Sequence, residues 1–492
     1  MSGRIMSKRM TARCSAGPAR TGRPSLTLVF AALLATLTSC SSPPPKIVFV
    51  PGERSHGYGM HEHNAGLLLI ARSLKQQWPE LETVVTEKDG WPEADVLADA
   101  DAIVMACEGS KHVALPHIDE VDALAKRGIG IALIHYAIEP PEGPGAEAVR
   151  RWIGGNHERG WSINPDWAAK FAGFPDHPAA RGLAPFTIYD EWYFHMRFVP
   201  DRKGITPILE TRPQLSTLLR NDGPSSNNPD VRESVLRGDR HAVAWAYERP
   251  GGGRGFGFTG AHHHRHYRDD NFRKAVLNGV AWAAGLEVPA GGVESAKPTW
   301  EEIAENQDYE KPEKWEEEAG LKMSGSADPV YSTPPISPGA EPFDLEVEIP
   351  PNRYRHIYFV FESDASPSAE RRANAQSSGE IRLENPRFRG EPGNEAPLHE
   401  EVPGHFIGPA GSQAPPPHWS EPDRAMAIPA PSLVYYPVPR GSTHFLARVS
   451  FHAEGLPEGD LQAEASPEGN AKPRGRVHVF FAPPAESHFR AP

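Results

Sequence analysis

The chain has 492 residues, of which 39% are hydrophobic and 23% charged, with 52 prolines and 45 glycines, a composition that excludes a fibrous or wholly disordered polymer. A single core stops growing near ~250–300 residues, so two or three domains are expected. The formal net charge of −13 argues against nucleic acid as a partner, because a phosphate backbone is bound through an excess of Lys and Arg.

The first forty residues stand apart. Arg4, Lys8, Arg9, Arg13, Arg20 and Arg23 precede an apolar run over residues 26–37, the order of a signal peptide. The run is shorter than the ~20 residues that a membrane-spanning helix needs. It ends in Leu37-Thr38-Ser39-Cys40, which resembles a bacterial lipobox. Residues 1–39 are therefore expected to be a lipoprotein signal peptide and Cys40 the lipid-carrying residue. That expectation places the chain in the bacterial cell envelope, anchored to a membrane by lipid at the periplasmic or outer-membrane face. Cys14 would leave with the leader and Cys107 would remain alone, so burial rather than an intramolecular disulfide must hold the fold.

Residues 46–50, 81–85, 102–106 and 130–136 read as strands. Helices are expected between them over 62–77, with Leu67, Ile70 and Leu74 on one face, and over 116–127, where Pro116 sits in the first turn at no cost in hydrogen bonding. Runs nearly continuous in Ile, Val and Ala belong to strands covered on both faces, which predicts a doubly wound parallel sheet. Strands over 187–193 and 205–210 follow. Next comes a hairpin of 241–247 and 255–259 around Pro250-Gly251-Gly252-Gly253, and a helix over 271–284 closes the α/β region. Residues 255–260 match G-x-G-x-x-G, but alternating Phe256 and Phe258 mark a strand with no helix opening after it, so no dinucleotide site is expected there.

Residues 288–342 turn to short charged helical patterns and then to Ser- and Pro-rich stretches, a linker. From 343 to 492, short alternating runs at 343–349, 356–361, 381–383, 443–452 and 476–481 predict an all-β sandwich.

In an open parallel sheet the ligand site lies beyond the carboxyl ends of the strands, where strand order reverses. Polar residues crowd those places. His56, His61, Glu62 and His63 follow the first strand, and His135 and Tyr136 follow the fourth. Asp190, Glu191 and Tyr193 end a later strand, with carboxylates and aromatics suited to sugar hydroxyls, a sugar ring face or a metal ion. After the last strand come His262, His263, His264 and His266, of which 262, 264 and 266 would share one face of an extended chain. Imidazoles and carboxylates at four strand ends are what a zinc or other divalent site needs. The same residues would equally serve a metal-free acid–base pocket or structural hydrogen bonds. No H-E-x-x-H, no cysteine and no G-x-S-x-G stands at the fourth strand end, so nucleophilic hydrolysis through a thiol or serine is not expected.

Several short motifs recur here in a familiar order. They are Ser55-His56-Gly57, His61-Glu62-His63-Asn64-Ala65-Gly66, Ile134-His135-Tyr136-Ala137, Gly154-Gly155, His177-Pro178 with Arg181-Gly182-Leu183, Asp190-Glu191-Trp192-Tyr193, Gly253-Arg254-Gly255-Phe256-Gly257 and Leu277-Asn278-Gly279-Val280-Ala281-Trp282. Together they resemble the trehalose-utilisation (ThuA-like) family over residues 46–287. The resemblance implies a flavodoxin-like, class I glutamine amidotransferase-like fold in which His135 stands where the amidotransferases carry their nucleophilic cysteine. It implies no functional amidotransferase, and a role in carbohydrate metabolism, as a hydrolase or lyase acting on a sugar or an oxidised sugar of the 3-keto-glycoside type. Candidate catalytic residues are His56, His61, Glu62 and His135. Glu191, Tyr193 and Tyr136 are candidates for substrate binding, and His61, His135 and His263 for a divalent metal, zinc first. The alternative is a non-catalytic carbohydrate-binding surface protein. The segments 356–361, 384–388 and 477–481 resemble those of carbohydrate-binding sandwich modules of secreted glycosidases.

Overall fold

The apolar runs become the middle of a sheet in the computed structural model, which describes residues 44–220, 223–236, 238–313, 330–349, 356–363, 379–390, 395–400, 405–407, 417–430, 432–452 and 474–482. The expected signal peptide, Cys40 and linker residues 314–329 lie outside the described residues. Among those described, no helix is long and apolar enough to cross a membrane.

In chain order the α/β region comprises β1 (Lys46–Pro51), α1 (His63–Gln77), β2 (Glu82–Val85), α2 (Ala94–Ala98), β3 (Ala102–Ala106), α3 (Ile118–Lys126), β4 (Gly130–Ile134) and α4 (Pro144–Ile153). A short strand β5 (Gly155–Asn156), a ribbon of β6 (Asp166–Phe171) and β7 (Phe186–Glu191), and β8 (Arg197–Phe198) follow. Then come β9 (Ile205–Thr211), α5 (Pro229–Leu236), β10 (His241–Glu248), β11 (Arg254–Phe258), α6 (Asp270–Ala283) and α7 (Trp300–Ala304).

The main sheet has the order β2-β1-β3-β4-β11-β10-β9. Its first five strands are parallel, and β10 and β9 extend it antiparallel because the glycine turn returns the chain directly into a hairpin. The parallel part follows the 2-1-3-4-5 order of flavodoxin-like sheets, whose switch point lies between β1 and β3. Side chains alternate across it. Ile47, Phe49, Val104, Ile134 and Phe256 pack with Leu67, Ile70 and Leu74 of α1 and Val276 and Val280 of α6. Val48, Val50, Ile103, Met105 and Leu133 pack on the other face with Val121 and Leu124 of α3 and Val149 and Trp152 of α4. The central strands β1, β3 and β4 thus bury both faces, which is why they read as nearly continuous Ile, Val and Ala.

The strand expected over 130–136 stops at Ile134, and residues 135–138 form a 3₁₀ turn. The G-x-G-x-x-G stretch is strand β11; a side chain at Gly257 would run into the Trp245 ring, so packing accounts for that glycine. Cys107 is fully buried, and burial pushes its thiol up to about 12, so it is inert at neutral pH.

The C-terminal region is a sandwich. Its strands are β12 (Tyr331–Ser332), β13 (Phe343–Glu348), β14 (His356–Ser363), β15 (Gly379–Arg389), β16 (Glu395–Pro397), β17 (His405–Ile407), β18 (His418–Ser420), β19 (Ala425–Ala430), β20 (Ser432–Pro437), β21 (His444–His452) and β22 (Gly475–Ala482). One sheet runs β12-β22-β14-β20-β17 and the other β13-β21-β15-β19-β18, all antiparallel. Ile357, Phe359 and Phe361 point into the space between them with Ile381, Phe445 and Val479. Val360, Leu433 and Phe480 take the opposite face of the first sheet and join the core of the α/β region, with Tyr358 packed at its edge. That outer face is an interdomain contact.

Candidate metal centre at the carboxyl edge of the sheet

The end of β7 and the segments after β1, β4 and β11 bring four side chains to one point. His61, His135, Glu191 and His262 each aim one nitrogen or oxygen inward, and these atoms all lie within 4.8 Å of one another. His61 Nε2 is 2.9 Å from His262 Nδ1 and 3.0 Å from His135 Nε2. Glu191 Oε2 is 3.1 Å from His262 Nδ1, 3.4 Å from His135 Nε2 and 4.0 Å from His61 Nε2. His61, His135, Glu191 and His262 are at most 9% exposed.

The backbone turns sharply to achieve this. His61 has φ 50°, His135 φ 54° and Ala261, just before His262, φ 84°. Each is a left-handed residue with a Cβ, a conformation that costs about 1–2 kcal/mol. Long-range bonds hold all three. His61 donates its backbone N–H to the His262 carbonyl at 2.9 Å, and His264 donates to Gly59 at 2.9 Å, tying the first loop to the last. His135 Nδ1 lies 2.7 Å from the Thr259 carbonyl, to which it donates, and Ala261 donates its N–H to Asp190 Oδ2 at 2.8 Å.

The bond to Thr259 places the proton of neutral His135 on Nδ1 and leaves a lone pair on Nε2. Ser55 Oγ lies 3.1 Å from His61 Nδ1, so the Nε2 of His61 also faces the centre. Tyr193 Oη approaches His135 Nε2 at 3.4 Å, long for a hydrogen bond. Burial, with the neighbouring imidazoles His135 and His262, holds His61 well below the usual histidine range, in its neutral form. Burial opposes ionisation of Glu191, but the charge of His262 and the bonds from His135 and His262 outweigh it and keep the carboxyl well below the usual range. The result is one carboxylate and three imidazoles crowded on one point. Burial opposes the charge on His262, but the charge of Glu191 and its bond outweigh it and hold His262 above the usual histidine range, so a metal ion would take the place of the proton that His262 shares with Glu191. A cation satisfies such a set. Ligands 2.0–2.1 Å from a tetrahedral zinc ion stand about 3.3 Å apart; the five separations given above run from 2.9 to 4.0 Å, and every pair lies within 4.8 Å.

Of the residues singled out in the sequence, His61, His135 and Glu191 meet in the cluster. Tyr193 lies against His135 with ring centroids 4.8 Å apart, and Tyr136 flanks His61 at 5.4 Å. His56 is exposed at the mouth, its ring 3.7 Å from that of His61. The fourth ligand position belongs to His262. His263 points elsewhere, with Nε2 3.8 Å from Asp166 Oδ1. Glu62 also turns away: its carboxylate accepts Gly59 N–H at 3.0 Å and Asp308 N–H at 2.8 Å. Burial raises that carboxyl to about 7. Beside it Tyr309 Oη donates to the Ser55 carbonyl at 2.9 Å and Lys88 pairs with Asp308, so Glu62 clasps the start of the linker to the histidine loop. A separate cleft of about 840 Å³ opens near α3, α4 and the β10–β11 turn, and its arginines are engaged, Arg150 with Glu158, Arg151 with Asp122 and Arg249 with the Trp152 carbonyl.

Fold and site define a flavodoxin-like α/β domain with a histidine–carboxylate centre in place of a nucleophile at the β4 turn. The model of the ThuA family, described as trehalose utilisation, matches residues 48–283, and this α/β domain belongs to the ThuA-like family. A solved ThuA-like protein from Bacteroides uniformis is similar at 13% identity and a TM-score of 0.36, covering 50% of this chain and 94% of that one. No curated protein matches the chain.

Proposed function

We propose that the chain is a metal-assisted enzyme acting on a carbohydrate or an oxidised carbohydrate, of the 3-keto-glycoside hydrolase or lyase kind. The convergence of His61, His135, His262 and Glu191 on one point carries this reading. The family description, trehalose utilisation, supports a sugar as the substrate class. A divalent ion, zinc first, would supply a Lewis acid for a substrate oxygen. Around it the chain's own residues divide the work. His61, His135, His262 and Glu191 would hold the ion, and Tyr136 and Tyr193 would present apolar rings and hydroxyls beside it. His56, exposed at the mouth, exchanges protons with substrate. The lipobox-like Leu37-Thr38-Ser39-Cys40 supports an envelope lipoprotein, anchored through Cys40, that meets its sugar outside the cytoplasm.

The test is to incubate the protein with disaccharides and their 3-keto derivatives and follow the mixture by proton NMR. Consumption by the native protein and none by a folded His135→Ala variant is expected. Unchanged turnover in that variant sinks the assignment of His135. Sugars that bind but return intact favour the alternative, a carbohydrate-binding surface protein.

A further inference from the structure

Asp190 lies next to Glu191 in the chain, is 0% exposed and bonds the cluster through main-chain groups rather than through the side chains of its four members. Its carboxylate instead gathers main-chain donors. Oδ2 accepts the N–H of Ala261 at 2.8 Å, and Oδ1 accepts the N–H of Glu191 at 2.9 Å and that of His263 at 3.3 Å. His266 Nδ1 stands 3.3 Å from Oδ2. The two loop donors flank His262 on both sides, and the third belongs to Glu191. One buried carboxylate therefore grips the backbone of two ligand-bearing segments at once.

The grip has work to do. Ala261 sits at φ 84°, where an alanine resists staying, and without its acceptor the loop would relax toward a right-handed backbone and swing His262 out of the cluster. The Trp192 ring packs against Gly260, where a side chain would not fit, and His262 lies between the two peptide groups that Asp190 bonds. We infer that Asp190 is a positioning residue, whose carboxylate sets His262 against Glu191 by bonding the peptide groups on either side of the histidine. Its affinity readout rests on the metal reading above; its structural readout does not.

The test compares the full chain, purified without a histidine tag, with its Asp190→Asn variant. Asparagine keeps the shape but offers one acceptor where the site uses two, and turns an amide donor toward a peptide N–H. Cobalt(II) titration with a competing chelator is expected to show affinity about 10- to 100-fold weaker in the variant, the usual effect of losing a group that orients a metal ligand. It is also expected to show a visible spectrum altered in shape, which a general loss of stability would not produce. Equal affinity with an identical spectrum overturns the inference. Amide hydrogen exchange supplies the readout without metal. If neither protein binds cobalt, the metal reading fails, and the inference then stands on slow exchange at Ala261 and His263 in the native protein that becomes fast in the variant. It falls if the two exchange alike. Should the variant not fold, the native protein decides alone: protected Ala261 and His263 amides support the grip, and fast exchange at both refutes it.

Discussion

The structure separates two neighbouring histidines that a sequence treats alike, and that difference can be measured. His262 Nδ1 is 2.9 Å from His61 Nε2 and 3.1 Å from Glu191 Oε2, whereas His263 Nε2 faces Asp166 at 3.8 Å. A cation that binds only the folded protein, supplied at one hundred times its dissociation constant, stabilises it by about 2.7 kcal/mol. In a domain of this size each kcal/mol raises the melting temperature by about 2–4 °C, so a rise of about 5–11 °C is expected on adding zinc or cobalt to the native protein. His262→Ala removes one of four donors and leaves Glu191 without its nearest partner. The variant should melt somewhat lower on its own and show little further response to metal. His263→Ala should keep the full metal-induced rise. The quantity to compare is the shift between metal-free and metal-loaded samples of each protein, read by thermal scanning fluorimetry. An undiminished shift in His262→Ala, or its disappearance in His263→Ala, would refute the ligand assignment.

Two further expectations concern the frame. Glu139 is buried, with Ser225 Oγ donating to it at 3.0 Å, and burial raises its carboxyl from 4.5 to about 7. The folded chain keeps a proton that the unfolded chain loses near 4.5, so this contribution is intact below that pH and fades as pH rises to about 7, by at most about 3 kcal/mol. Glu139→Gln should remove that slope, seen as urea midpoints that converge with the native ones at pH 5 and exceed them at pH 8; parallel pH profiles would count against the burial argument. At Gly279 of α6 an added methyl group would overlap the Phe256 ring of β11. Gly279→Ala should therefore cost about 1–3 kcal/mol by overpacking, read as a lower melting temperature, and an unchanged one would show that the helix can lift off the strand freely.

The sheet was legible because its strands are buried on both faces and so spell themselves out in Ile, Val and Ala. The helix α4 was not: Pro140, Pro141, Gly143 and Pro144 interrupt any helical pattern at its start, although Pro144 occupies the first helical turn, where proline fits, and Ala148, Val149 and Trp152 then bury one face. Ribbon strand β6 is bounded by Pro165 and Gly173 and has too little alternation to announce itself. The site was legible as far as strand ends locate it, which gave His61, His135 and Glu191. The choice between His262 and His263 was not, because four histidines stand within five positions and the turn at Ala261, φ 84°, decides which of them faces the cluster. Glu62 looked like a member of the site by adjacency to His61, but its partner is Asp308, a pairing 246 residues away in sequence that no local pattern carries.

The outward aromatic stripe of the C-terminal sandwich has a similar lesson, since Tyr358 and Phe480 suggest a sugar platform by their type yet pack toward the α/β core. The centre itself rests on the opposite logic to a small zinc domain. There the ion supplies the folding energy and the ligands scatter without it. Here His61, His135 and Ala261 hold strained backbones at the ends of strands or in loops whose registers are fixed by a large buried sheet, and each strained residue is anchored by a bond to a distant segment, to His262, Thr259 or Asp190. Strain of this kind persists only where the surroundings over-determine it. The sheet therefore builds the cluster without help from an ion, and a cation entering it would find three nitrogens and a carboxylate oxygen already within 4.8 Å of one another.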